Sequence, residues 1–505
     1  MQRTVDLLLT DLRYLLADLG KDGGLMSPSI YDTAQVARLA PPPEGPWPAL
    51  AWLLDQQRPD GGWGEPTLPR SRAVPTLAAV LALLAHEHRR AYREAAYEGL
   101  ACLRREADVW SEALPNDLPV GVELLLPRLL DEARAAGVEL PLDLYRPLLE
   151  LGVRRRRLIA RLALEPGTTP VHSWEALGAA PDPGLFDAAG GIGHSPAATA
   201  AWLRAAAGRA DLEGARARGQ GYLASAARAT ATGIPGVVPT AWPIHRFERG
   251  FGAFALNLAG LLDHPALAEQ VAAHAADTVA GLRPRGYSFS DAFDPNGDDT
   301  AAGLTLAHLT GHKVSPAILR GYERDGHFCT FPRELQVSYS ALARATYALH
   351  LLGENTDAYV EDLLGVRRQD GRWAGDKWNS SWLYTTCHAV HALAGRPDAA
   401  ELLGPTLRAI VAHQRPDGGW GSVGGSNPTE TAYGVLALRG LAAVAEFGPT
   451  VRPALARARG QLYASYRPFH TGATTCWIGK EIYRPYRVDR AFELSATLAL
   501  ALGEE

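Results

Sequence analysis

The chain has 505 residues, 47% of them hydrophobic and 21% charged, with a formal net charge of -5, which suffices for two or three buried cores and excludes a disordered chain. No block of like charge marks a nucleic-acid interface, and no run of about 18 apolar residues marks an integral membrane span. Cys102, Cys329, Cys387 and Cys476 lie far apart without a CxxC, so neither a zinc site nor a disulfide framework is signalled.

The N-terminal MQRTVDLLLTDLRYLLADLG is interrupted by Asp6, Asp11, Arg13 and Asp18 at helical spacing. It reads as an amphipathic helix of the mature protein rather than a signal peptide, and a cytoplasmic, bacterial-type protein is expected. Most of the remaining chain is helical in pattern and rich in Ala, Leu and Arg, as in AVPTLAAVLALLAHEHRRAYREAAYEGLACL, LLLPRLLDEARAAGV and TAYGVLALRGLAAVAEF, with Pro, Gly and Asp between. No alternating strand pattern competes, so the expected class is all-α. QRPDGGW at residues 57–63 returns letter for letter at 414–420, and RRQDGRWAG at 367–375 is a third copy. Repeats of this kind predict stacked helical hairpins, each with a Trp packed back over the next helix start. The role expected of these Trp residues is structural.

SDAFDPNGDDTAAG, residues 290–303, puts an acidic turn before a helical run of small residues. Asp298 or Asp299 can cap that helix, where a carboxylate meets free N–H groups and the positive end of the helix dipole. Adjacent carboxyls in an apolar pocket can also keep one proton between them, because repulsion and burial both raise a pKa. Capping by Asp299 and acid catalysis by Asp298 are compatible.

With the repeats and the DDTA segment, several blocks resemble the class II terpene cyclases. SPSIYDTAQVARL (27–39), VHSWEAL followed by GHSPAATAAWL, AWPIHRFERGFGAFALNLAGL, GDKWNSSWLYTTCHAVHAL and CWIGKEIYRPYRVDRAFELSATLAL are similar to family motifs and run in the family's order over nearly the whole chain. The resemblance implies two α-barrel domains: a β domain from residues 1–40 and 275–505, and an inserted γ domain from 41–274, with the substrate cavity between them. It implies protonation-initiated cyclisation of an acyclic prenyl diphosphate with the diphosphate retained. Geranylgeranyl diphosphate would give a copalyl-type product and farnesyl diphosphate a drimenyl one, and motifs do not measure cavity length. A squalene-type cyclase and a non-enzymatic lipid-binding α-barrel are the rival readings.

By the same resemblance Asp298 is the general acid, at the third position of a DxDD-like motif, and Asp299 its electrostatic neighbour. Asn296 stands where the family usually has Asp; it is a tolerated variant, a change that slows turnover, or the mark of a lost activity. Glu175 is the implied Mg²⁺ ligand, and one carboxylate plus phosphate oxygens suits that ion. Arg204 and Lys480 are candidates for binding the diphosphate. Trp378, Trp382, Tyr384, Tyr287 and Phe289 are candidate cavity aromatics, since ring faces stabilise passing cations.

Overall fold

The structure is a computed structural model and describes residues 2–503 apart from 325, 333, 335, 471 and 473. It is built from helices, with two short hairpins, Glu323–Arg324 with His327–Phe328 and Trp477–Ile478 with Ile482–Tyr483, among the described residues.

Six helices form a closed inner ring, each packed on the next: His245–Ala259, Gly297–Leu309, Tyr339–Leu351, Trp382–Leu393, Pro428–Leu441 and Tyr486–Leu502, the last returning to the first. Buried small residues allow this close approach; in Gly297–Leu309 every position from Gly297 to Ala307 is buried. Outer helices, among them Gln2–Asp18 and Ala268–Gly281, pack around the ring. A second ring joins Ile30–Leu39, Pro69–Leu84, Val122–Ala135, the 3-10 segment Thr169–Ala176 and Pro196–Ala205, which packs back on Ile30–Leu39. The expected all-α, double α-barrel class is what the chain adopts.

Two helices pack outside the segments expected to hold them. Ile30–Leu39, placed by sequence in the 1–40 portion, contributes Tyr31, Ala34 and Ala37 to the core that contains Val74 and Leu77. His245–Ala259, placed in the 41–274 insert, contributes Phe251, Phe254 and Ala255 to the core of the first ring. Helix patterning shows which face is apolar, whereas the partner of that face is a tertiary choice.

The repeated heptapeptides share one geometry. Trp63, Trp373 and Trp420 are buried, and each indole N–H donates to a carbonyl ten residues upstream: Leu53 at 2.6 Å, Leu363 at 2.7 Å and Ile410 at 2.9 Å. Each Trp backbone N–H donates to a threonine of the next helix, Thr76, Thr386 and Thr431 respectively. In the two identical copies the Gln side chain bridges two carbonyls, Gly61 and Ala95 for Gln57 and Gly418 and Ala454 for Gln414, all at 2.8 Å. The motif thus ties one helix end to the next helix start and to an outer helix.

Candidate active site

A cavity of about 940 Å³ is lined from both rings, by Asn296, Asp298, Asp299 and Trp378 on one side and by Gly121, Arg155 and His172 on the other. A site between two domains, apolar with a few placed polar groups, is a common form for a ligand pocket.

The acidic turn folds as a cap whose first letter is an amide. Asn296 is extended, with φ -134° and ψ 158°, and its Oδ1 accepts the backbone N–H of Asp299 at 2.8 Å. Its Nδ2 donates to Asp299 Oδ2 at 2.5 Å. Gly297 is required by close approach: a Cβ there would stand 2.4 Å from the Cys329 carbonyl oxygen. Thr300 closes the turn, its hydroxyl accepting from Tyr287 N at 2.8 Å and donating to Asn296 O at 2.5 Å.

The two aspartates have unlike surroundings. Both oxygens of Asp298 are taken by the buried Arg344, Nε to Oδ1 at 2.6 Å and Nη2 to Oδ2 at 2.6 Å. Arg344 is itself held by Tyr384 Oη at 2.8 Å and Ser340 Oγ at 3.3 Å, and its guanidinium lies 4.9 Å from the centre of the Phe251 ring. Ser340 in turn donates through N–H and hydroxyl to the buried Asp376, both at 2.9 Å. Asp299 has Oδ1 buried without a hydrogen-bond partner. Burial pushes the Asp299 carboxyl up to about 7, with Asp298 adding to the rise and Asn296 and Arg344 opposing it.

Of the candidate aromatics, Trp378 and Phe289 line the cavity. Trp378 is fixed by its indole N–H on Thr330 Oγ1 at 2.7 Å, and Phe289 packs against Phe293 at 4.6 Å. Tyr384 and Tyr287 are buried outside the lining, Tyr384 behind Arg344 and Tyr287 with Arg246 over its ring at 5.4 Å. Trp382 also lies outside it, between Arg372 and His413. Phe247, Phe251, Phe293, Phe331, Trp477 and Tyr483 complete an aromatic wall that the motifs did not indicate.

Of the candidate cations, Lys480 reaches the cavity and Arg204 does not. Lys480 sits in the turn of the Trp477–Tyr483 hairpin, where its Nζ donates to Asp32 Oδ1 at 2.9 Å and Ser195 Oγ at 2.5 Å. Arg204 is exposed in the last turn of its helix and absent from the cavity lining. The cationic rim comes instead from Arg155, Arg161, Arg285, Arg324 and Lys377. Arg155 and Arg161 belong to the arginine-rich stretch VRRRRLIARL, which was a signal available in the sequence. Arg344 also left a trace, as the one Arg or Lys in YSALARATYALHL.

Glu175 lies against Lys480, 3.7 Å from Oε1 to Nζ, and accepts the Tyr31 hydroxyl at 2.9 Å. It is not part of the cavity lining, yet its Oε2 is buried without a partner, which fits one oxygen ligand to a hard cation. Among the described residues the one cluster of three metal-type ligands is Asp60, Cys102 and Glu106, where the Arg72 guanidinium already pairs with both carboxylates.

A double α-barrel with paired carboxyls in an aromatic interdomain cavity defines a class of protein, and similarity to known proteins agrees. No family model matches the chain. It is 46% identical over 519 residues to (+)-kolavenyl diphosphate synthase of Herpetosiphon aurantiacus, covering 100% of this chain and 99% of that protein. It is 32% identical over 507 residues to ent-copalyl diphosphate synthase of a Streptomyces species, covering 94% and 92%. The solved structure of ent-copalyl diphosphate synthase from Streptomyces platensis superposes with a TM-score of 0.81 at 30% identity, over 98% of this chain and 99% of that one. The chain belongs to the class II terpene cyclase family.

Proposed function

We propose that the protein cyclises geranylgeranyl diphosphate to a bicyclic, copalyl- or kolavenyl-type diphosphate, with the diphosphate retained. The observation that carries this reading is the buried Asp298–Asp299 pair on an aromatic-walled cavity that has arginines elsewhere on its lining. The C20 substrate is favoured over the C15 one by similarity to kolavenyl and copalyl diphosphate synthases along the full chain.

The carboxyl pair supplies the proton that adds to the terminal alkene of the substrate. An alkene is a weak base, so the acid must be strong and still protonated; a pair sharing one proton in a low-dielectric site meets both needs. The cations formed as the rings close lie against ring faces such as Phe251, Phe289, Phe293 and Trp477, which offer π density without a nucleophile. Arg155, Arg161 and Lys480 hold the diphosphate and so fix which alkene faces the acid. Glu175 would hold Mg²⁺, which would supply charge neutralisation at the diphosphate. Loss of a proton ends the reaction, and the net change is an isomerisation.

Purified protein is to be incubated with geranylgeranyl or farnesyl diphosphate and Mg²⁺, and the products treated with phosphatase and identified by mass spectrometry. The expected outcome is a bicyclic C20 alcohol. Cyclised C15 product alone would move the assignment to a drimenyl-type cyclase, and no cyclised product from either would overturn the enzymatic reading.

A further inference from the structure

Six arginines and two glutamates lie between residues 146 and 165, in a protein whose formal net charge is -5. The Arg146–Ile159 helix has one side settled by packing. Leu148 and Gly152 are buried against the Val122–Ala135 helix, and a Cβ on Gly152 would stand 2.2 Å from the Glu123 carbonyl oxygen. Glu150, Val153, Arg154, Arg157 and Leu158 recur at helical spacing on the opposite side, and all are exposed. Val153 is 40% and Leu158 48% exposed, which leaves apolar surface in water between guanidinium groups. Arg155 turns inward and pairs with Glu123 at 3.1 Å, whereas Arg154, Arg156, Arg157 and Arg161 make no ion pair or side-chain hydrogen bond among the described residues.

We propose that this helix face docks the protein on an anionic lipid bilayer, with the cavity mouth turned to the membrane so that the substrate enters from it. The face runs into the mouth: Leu158, Ile159, Arg161 and Leu162 line the cavity, whose lining is exposed also at Thr169 and Arg285. Arginines with apolar residues between them suit a headgroup layer, where guanidinium groups pair with phosphates while short apolar side chains reach the acyl boundary. An acidic protein or a nucleic acid would be served by the charge alone and offers nothing to Val153 and Leu158. A prenyl diphosphate has the same build as an anionic lipid, an apolar chain under an anionic head, so it sits in the bilayer with its diphosphate at the depth of the arginines. Arg154 and Arg157 lie outside the cavity lining and hold the bilayer, while Arg155 and Arg161 lie on the lining and take over the diphosphate. The docking follows from the helix face itself; the passage of substrate from bilayer to cavity rests on the proposed cyclase function.

The test is flotation of the purified full chain with phosphatidylcholine vesicles, prepared with and without phosphatidylglycerol, in the absence of substrate. The wild type is expected to float with the anionic vesicles, less so as salt is raised, and to stay off the neutral ones. Arg154→Gln with Arg157→Gln should lower the partition coefficient for anionic vesicles roughly thirtyfold. Val153→Gln should lower it chiefly at high salt, where the apolar contribution is what remains. Arg90→Gln with Arg93→Gln, two exposed arginines of the Arg90–Glu106 helix, should bind as the wild type does. Circular dichroism and an unchanged melting temperature identify the folded variants. With geranylgeranyl diphosphate presented in anionic vesicles, the Arg154/Arg157 double variant should show a KM raised severalfold at unchanged kcat, and with the same substrate in detergent it should match the wild type. Wild type that binds neither vesicle, or both alike, overturns the inference. Anionic-vesicle binding that the Arg154/Arg157 double variant leaves unchanged does so too, as does wild type that binds polyglutamate or RNA but no vesicle. Failure of the wild type to cyclise either diphosphate counts against the cyclase function instead, since flotation is read without substrate.

Discussion

At the scale of the residue, the acidic turn shows how much identity and surroundings each contribute. The letters NGDDTA, with the resemblance, indicate an acid pair and a cap by Asp298 or Asp299; the structure has the pair in one turn but corrects the cap, which is Asn296, because both aspartates already lie within the helix and the Asp299 N–H donates back to the amide. What neighbouring letters do not express is that one aspartate meets an arginine 46 positions away while the other meets an amide three positions away. Asp299 titrates at about 7 in the fold against a usual 3.8, so the folded state binds its proton more tightly than the unfolded one. Its favourable contribution to stability is complete below about pH 3.8 and is lost as pH rises to about 7, by a few kcal/mol at most. Asp299→Asn is neutral at every pH, so thermal unfolding should show the variant more stable than wild type at pH 8 and nearly equal to it at pH 4. Asn296→Asp adds a carboxylate beside Asp299 and removes the Nδ2 donor, so the alkaline limb of the pH–rate profile should move to higher pH. A limb that moves down would show that residue 296 does not act on Asp299.

At the scale of the element, tight approach and bridging govern what can change. Gly297→Ala places a methyl 2.4 Å from a backbone carbonyl, which cannot rotate away, so urea unfolding should report a loss of about 1–3 kcal/mol. The Gln of the heptapeptide makes two bonds to carbonyls of separate elements; Gln414→Ala should cost roughly 1–2 kcal/mol in the same measurement with turnover little altered, because no residue of the 414–420 motif lines the cavity. The Trp477–Tyr483 hairpin is different, since it joins the two rings: Val120 N donates to Gly479 O at 2.8 Å, while Lys480 reaches Asp32 and Ser195. Lys480→Met leaves Asp32 and Glu175 buried without their cation, so a loss of about 3–5 kcal/mol is expected together with a raised KM. The repeats are legible because an identical heptapeptide forces an identical local geometry. The hairpin is not, because strands of two residues carry no periodic signal.

At the scale of the whole molecule, the cavity exists only because the two rings meet. Its acid comes from the first ring, and two of its lining cations, Arg155 and Arg161, come from the Arg146–Ile159 helix and the residues just after it. Arg161 is exposed and lines the cavity, so Arg161→Gln should raise KM for the diphosphate about tenfold with kcat little changed, as expected of a contact made equally to bound substrate and transition state. A matched fall in kcat would instead place Arg161 in the chemical step. Arg204, favoured by its position after a family motif, is exposed in the last turn of its helix and is not part of the cavity lining. Charge and motif adjacency indicate that a basic residue is present, and helix direction decides where it points.

Chain order alone determines the helices through apolar periodicity, hairpin stacking through the repeated QRPDGGW, the capped acidic turn through NGDDTA, and the family through motifs in register. These depend on neighbours within a few residues or on repeated strings, so they are written locally. The pairing of Asp298 with Arg344, the seating of Lys480 between Asp32 and Glu175, the six unannounced aromatics of the wall and the choice of ring for Ile30–Leu39 depend on which faces meet in the folded chain, across separations from 46 positions for Asp298 and Arg344 to 448 for Asp32 and Lys480. Burial makes those meetings matter, because an unpaired charge or an unpartnered oxygen is costly only where water has been removed.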